Sequence, residues 1–142
     1  MGVEGRQGCS WCNSRGQPQI AATTHNLAAG AATTTLFAGT TQVVELNSIV
    51  VRLPDVDMSD DVGAYTGYSI QLTGSTNQTL ITTNQGLKAN CTAEAQMAWA
   101  GNVYVAVGEL IQIVITGGAG DATTTANMVA GYSAIVAGGT LA

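Results

Sequence analysis

The chain has 142 residues, one domain's worth of length, and a formal net charge of −5 at pH 7. Only 9% of its residues are charged while 46% are hydrophobic, against a usual charged share of about 25%. Four Lys and Arg are too few to neutralise a run of phosphates, which argues against non-specific nucleic-acid binding, so no nucleic-acid partner is expected, and no apolar run approaches the about 20 residues that span a bilayer.

In chain order, residues 1–19 show no period. Gly2, Gly5, Gly8 and Gly16 punctuate them and Pro18 closes them, as in an extended N-terminal arm ahead of a domain over 20–142. They contain no apolar run of the kind a secretory leader has. Within the arm, Cys9-Ser10-Trp11-Cys12 has the spacing of half a zinc site or of a redox motif. The other soft ligands, His25 and Cys91, are single and remote, and no strand-then-helix pattern would acidify Cys9. A local disulfide between Cys9 and Cys12, or two free thiols, is the simpler reading; no metal or cofactor is expected. Trp11, an aromatic on an arm, is a candidate anchor for a neighbour's pocket.

Residues 20–39 are rich in Ala and Thr, with His25 as a polar strand or loop residue and a short strand over 33–37. Residues 42–53 form a strand whose apolar phase changes near Asn47-Ser48, predicting a bulge or turn there. Residues 54–63 hold Asp55, Asp57, Asp60 and Asp61. They lack the sixth-position Gly and closing Glu of a calcium loop, and Asx-turns account for them more simply. Residues 67–73 alternate cleanly, with Tyr68, Ile70 and Leu72 on one side; 74–77 turn and 78–83 return. Two glycosylation acceptor patterns, at Asn77 and Asn90, have no signal peptide to make them relevant.

Residues 91–99 alternate as a strand ended by a turn at Gly101-Asn102. Residues 103–115 organise the rest: Val103, Val105, Val107, Ile111, Ile113 and Ile115 share one parity around Gly108-Glu109, predicting two strands joined by a tight hairpin. The other face carries Tyr104, Leu110 and Val114 with only Gln112 to wet it, so it calls for cover from the fold or a neighbouring subunit. Tyr104, Leu110 and Val114 are therefore candidate interface residues. The Gly-rich stretch 117–121 lacks the Lys-Ser/Thr of a phosphate loop and reads as a hairpin connection. Residues 123–136 close the fold, with Ala126, Met128, Ala130, Tyr132, Ala134 and Val136 on one parity.

The result is an all-β chain of about eight short strands with frequent turn signals, an antiparallel β-sandwich or jelly roll. Residues 68–136, through VAVGELIQIVI at 105–115 and MVAGYSAIV at 128–136, resemble the trimer-forming jelly rolls of viral and of complement- and tumour-necrosis-factor-like proteins. The chain with its arm resembles the small decoration (cement) proteins of tailed-phage capsids. That resemblance implies a homotrimer on the surface of a virion, bound to the major capsid protein or other virion proteins.

Charge points the same way, because a monomer with so few charged residues lacks the usual means of staying dispersed. A secreted protein with a mild surface of its nineteen Thr is the alternative. An enzyme is not expected: one His, no Ser-His-Asp grouping, and acids gathered mostly in one loop. Glu94 and Glu109 are the acid pair outside that loop, at polar or turn positions, which does not suit a glycosidase. The rival to a capsid protein is a phage fibre or surface adhesin that binds carbohydrate, with Trp99, Tyr104, Tyr65 and Tyr68 as a stacking platform. Parity places Tyr68 and Trp99 inside.

Overall fold

Alternation in the sequence becomes inside and outside in a computed structural model that describes residues 18–75, 77–121, 124–135 and 138–142. The strands are β1 (Pro18–Asn26), β2 (Ala32–Ala38), β3 (Val44–Arg52), β4 (Gly67–Thr73), β5 (Gln78–Ile81), β6 (Gln96–Val105), β7 (Leu110–Thr116) and β8 (Thr125–Ala134). They form two four-stranded sheets, ordered β1-β8-β3-β6 and β2-β7-β4-β5. Every pairing is antiparallel.

The order has a simple rule: first pairs with last, second with second-to-last, and so inward to β4 with β5. Successive pairs lie in alternate sheets. A long hairpin folded over on itself in this way is a jelly roll, so the expected all-β antiparallel sandwich is the observed architecture. The expected arm, residues 1–19, lies outside the described residues except for Pro18 and Gln19, which begin β1.

The inner faces make one core. Ile111, Ile113 and Ile115 of β7 are buried, as are Tyr68, Ile70 and Leu72 of β4 and the even residues Ala126 to Ala134 of β8. Asn47 is the predicted bulge in β3. It has no counterpart on β8, where Leu46 faces Tyr132 and Ser48 faces Gly131. Opposite β6 it faces both Gly101 and Asn102, between the pairs Leu46–Val103 and Ser48–Ala100. The bulge shifts the phase so that Val44 and Leu46 before it, and Ile49 and Val51 after it, all point inward. A second bulge, at Leu36 in β2, turns both Leu36 and Phe37 into the core.

Three local expectations are corrected by this topology. The predicted hairpin over 103–115 does not form: β6 and β7 lie in different sheets. Residues 106–109 are a corner between the sheets, closed by the Glu109 N–H donating to the Ala106 carbonyl at 3.0 Å, with Gly108 at φ 86°. The Gly-rich stretch 117–121 likewise crosses between sheets rather than joining paired strands. Gly101-Asn102 is not a turn; the strand begins at Gln96 and runs straight through to Val105, with the extra residue absorbed in the bulge. Parity held within the strands but not at Val107, which the corner leaves 56% exposed; the partners were wrong, because period-two alternation reports which face is buried and not which strand lies alongside.

Candidate functional site

The outer face of the β1-β8-β3-β6 sheet is built from residues that the alternation leaves over. Register aligns them in rows across all four strands. Ala22, Val129, Val50 and Ala98 form an apolar row. Beside it run Ile20, Gly131, Ser48 and Ala100, with Ile20 at 75% exposure. A third row, Pro18, Ser133, Glu45 and Tyr104, carries the aromatic, 62% exposed. Around Tyr104 the polar groups are tied together: Asn47 donates to Glu45 Oε1 at 2.9 Å, and Ser133 donates to Asn47 at 3.3 Å.

Leu110 and Val114 lie elsewhere. They stand half-buried on the outer face of the β2-β7-β4-β5 sheet, among Thr33, Thr35, Ser69, Gln71 and Thr73. Gln112 bridges this face, donating to Thr35 at 3.3 Å and accepting from Thr73 at 2.8 Å. The structure therefore does not bring Tyr104 together with Leu110 and Val114; the three candidates divide between the two outer faces. Trp11, Cys9 and Cys12 lie outside the described residues.

The strand edges show a pattern that the side-chain parity does not. The four edge strands are β1, β6, β2 and β5, and none contains Asp, Glu, Lys or Arg. Among all eight strands the charged residues are Glu45 and Arg52, both on β3. β6 is ten residues long without a Pro. Open edges of this kind, unguarded by charge, are templates for another strand.

Where β6 nears the corner to β7, a cleft of about 450 Å³ opens, lined by Leu72, Ser75, Asn102, Val103, Tyr104 and Glu109. Glu109 is 7% exposed. Its Oε1 accepts the Ala106 N–H at 2.8 Å and its Oε2 accepts the Ser75 hydroxyl at 3.2 Å, so it fastens the β4–β5 turn to the inter-sheet corner. Glu94 is far from such a role: it pairs with Arg52 at 3.0 Å, with both side chains exposed.

The proposed aromatic platform is not formed. Tyr65 and Tyr68 are in the core beside Cys91, with the Tyr65 hydroxyl 3.4 Å from Sγ. Burial pushes both phenols and the Cys91 thiol upward from their ordinary pKa values, so all three stay neutral. Trp99 is half-buried against the core edge. In the acidic loop, Asp57 accepts from the Ser59 hydroxyl and N–H at 2.6 and 2.9 Å, an Asx-turn that lowers its pKa. Among the described residues no three His, Cys, Asp or Glu side chains gather as metal ligands would.

No known protein family matches the sequence, and no curated protein matches it. The fold, however, is shared with a phage capsid chain. A chain of the cyanophage Pam1 capsid asymmetric unit superposes with a TM-score of 0.58 over 84% of this chain and 86% of that one, at 8% identity. A chain from the acid-stable capsid of the Helicobacter pylori bacteriophage KHP30 matches over 89% of this chain and 98% of its own, at 9% identity and a TM-score of 0.43. At 8% identity the likeness to the Pam1 chain is one of fold.

The outer row Ala22–Val129–Val50–Ala98 escaped sequence reasoning, because it assembles from four strands whose neighbours the sequence does not declare. The uncharged strands were visible in it all along: only the assignment of strand boundaries was needed.

Proposed function

We propose that the chain is a virion structural protein, a capsid decoration or cement subunit that binds and stabilises the assembled shell as a homo-oligomer, a trimer like the decoration proteins it resembles. The observation that carries this reading is the placement of charge: of the ten charged residues described, eight lie between strands, while the four edge strands carry none and the outer faces carry only Glu45 and Arg52. A lone domain gains nothing from such lateral surfaces and risks uncontrolled pairing; a subunit held in a symmetric assembly buries them. A jelly roll whose fold is shared with a chain of a phage capsid supports the same reading. The arm ahead of Pro18, with its single large anchor Trp11, suits attachment to a neighbour.

Native mass spectrometry of the full chain, followed by sedimentation with assembled particles that lack it, tests the proposal. An oligomer that co-sediments with the shell is expected. A stable monomer at micromolar concentration with no affinity for particles would reject it. A fibre or adhesin subunit shares the self-association but needs a glycan; with Tyr65 and Tyr68 in the core, no stacking platform supports it. Specific binding on a glycan array would restore it.

A further inference from the structure

The two free edges of the β1-β8-β3-β6 sheet are complementary to each other. Strand direction alternates across the sheet, so β1 and β6 run opposite ways. Two copies placed side by side would bring β6 of one against β1 of the next as an antiparallel pair, which continues the ladder. The strands match in length, ten residues against nine, and neither carries a charge to repel the other. Neither has a second partner strand among the described residues.

We propose that β1 of one copy adds to β6 of the next in a head-to-tail contact, and that the residues ahead of β1 carry Trp11 into the cleft beside Tyr104. This rests on the self-assembling reading above and specifies its contact. Pro18 and Tyr104 occupy the same row at opposite edges of the sheet, three strand spacings or about 14 Å apart within a copy. Between adjoining copies the same two residues face each other at one spacing, about 5 Å.

Because the pair is antiparallel, the chain upstream of Pro18 then leaves along the direction in which β6 runs to Val105 and the corner at Glu109. The cleft lies there. The stretch from Trp11 to Pro18 reaches roughly 24 Å when extended, ample for the crossing. At about 450 Å³ the cleft has room for an indole, and Ser75 and Asn102 offer oxygens to its N–H. Charge agrees: the arm holds Arg6 and Arg15 against Glu4, whereas the rest of the chain has Arg52 and Lys88 against the other eight acids. Such a contact is heterologous, so it closes into a ring or runs on as a filament according to the rotation between copies.

Straight continuation of the rows sets Ala22 of one copy opposite Ala98 of the next. Both are exposed, so lysine at either leaves the fold intact, as circular dichroism would verify. The test is native mass spectrometry of the full-length chain and of three variants. Ala22→Lys with Ala98→Lys puts like charges at every contact and should yield monomer at concentrations where the unmodified chain is oligomeric. Ala22→Lys with Ala98→Glu makes every head-to-tail contact attractive and should assemble, whereas a symmetric edge contact would leave like charges opposed. Trp11→Ala should raise the concentration needed for assembly by about 30-fold. Undiminished assembly of the double-lysine variant overturns the edge contact while leaving self-assembly standing, and an unchanged Trp11→Ala chain overturns the cleft assignment. An unmodified chain that is monomeric removes this contact and the assembling reading together.

Discussion

Asp61 holds the backbone N–H of Asp121 between its two carboxylate oxygens, at 2.9 Å from each, across sixty residues of sequence. The same side chain accepts the Gly63 N–H at 2.7 Å and is 8% exposed, while Lys88 donates to its backbone carbonyl. One acid thus joins the loop after β3 to the Gly-rich crossing after β7. Asp61→Ala leaves the part-buried N–H groups of Gly63 and Asp121 without this partner and should cost about 1 kcal/mol, read as a fall in the urea midpoint with unchanged slope. An unchanged midpoint would show that water replaces the carboxylate at no cost.

Tyr68 presents the opposite case. Its hydroxyl is buried with no hydrogen-bond partner among the described residues. Removing it in Tyr68→Phe should leave stability unchanged or raise it by about 1 kcal/mol. A loss of stability in thermal unfolding would reveal a partner for the oxygen.

Cys91 is fully buried, and burial holds its thiol pKa above the ordinary value. Both effects suppress the thiolate. In native protein at pH 8, iodoacetamide should leave the Cys91 peptide unmodified by mass spectrometry and alkylate it once urea is added. Rapid native labelling would mean that the core opens locally at this position.

His25 should make stability depend on pH. Desolvation lowers its pKa below the model-peptide value of 6.5, so as pH falls the unfolded chain takes up the proton before the folded one does. Stability is therefore greatest above about pH 6.5 and declines as pH drops from there to the folded pKa. Chemical melts between pH 7.5 and 5 should show this slope in the unmodified chain and a shallower one in His25→Gln. Equal slopes would assign the dependence to other groups.

Val50 and Val129 test the outer face itself, because they form the centre of its apolar row. Val50→Lys should leave the thermal midpoint within a few degrees and abolish co-sedimentation with particles if this face meets the shell. Retained binding would direct attention to the opposite face, where Leu110 and Val114 stand.

Much of the fold was legible in residues that alternate strongly. The isoleucines at 111, 113 and 115 and the even residues from Ala126 to Ala134 point inward as their parity requires, and the phase change at Asn47 was a bulge. β1 was not legible, since PQIAATTHN has small or hydroxylated residues on both faces and little contrast between them. Partners were illegible throughout. Nothing in β6 says that it lies beside β3, some fifty residues earlier, rather than beside β7. For the same reason Tyr104 and Leu110, six positions apart, read as one patch and stand on opposite sides of the molecule.

The nesting of first strand with last has a consequence for synthesis. β8 is the inner strand between β1 and β3, so as the chain leaves the ribosome that sheet lacks its middle until residues near Ala134 have emerged. β3 can pair with β6 in the meantime, but β1 must wait unpaired, and such non-local closure is slow. The β1 edge that assembly would use becomes ordered only once β8 has been made. Chains that stop before β8 therefore cannot present the β1 edge to a growing shell, and the topology couples that contact to the synthesis of β8.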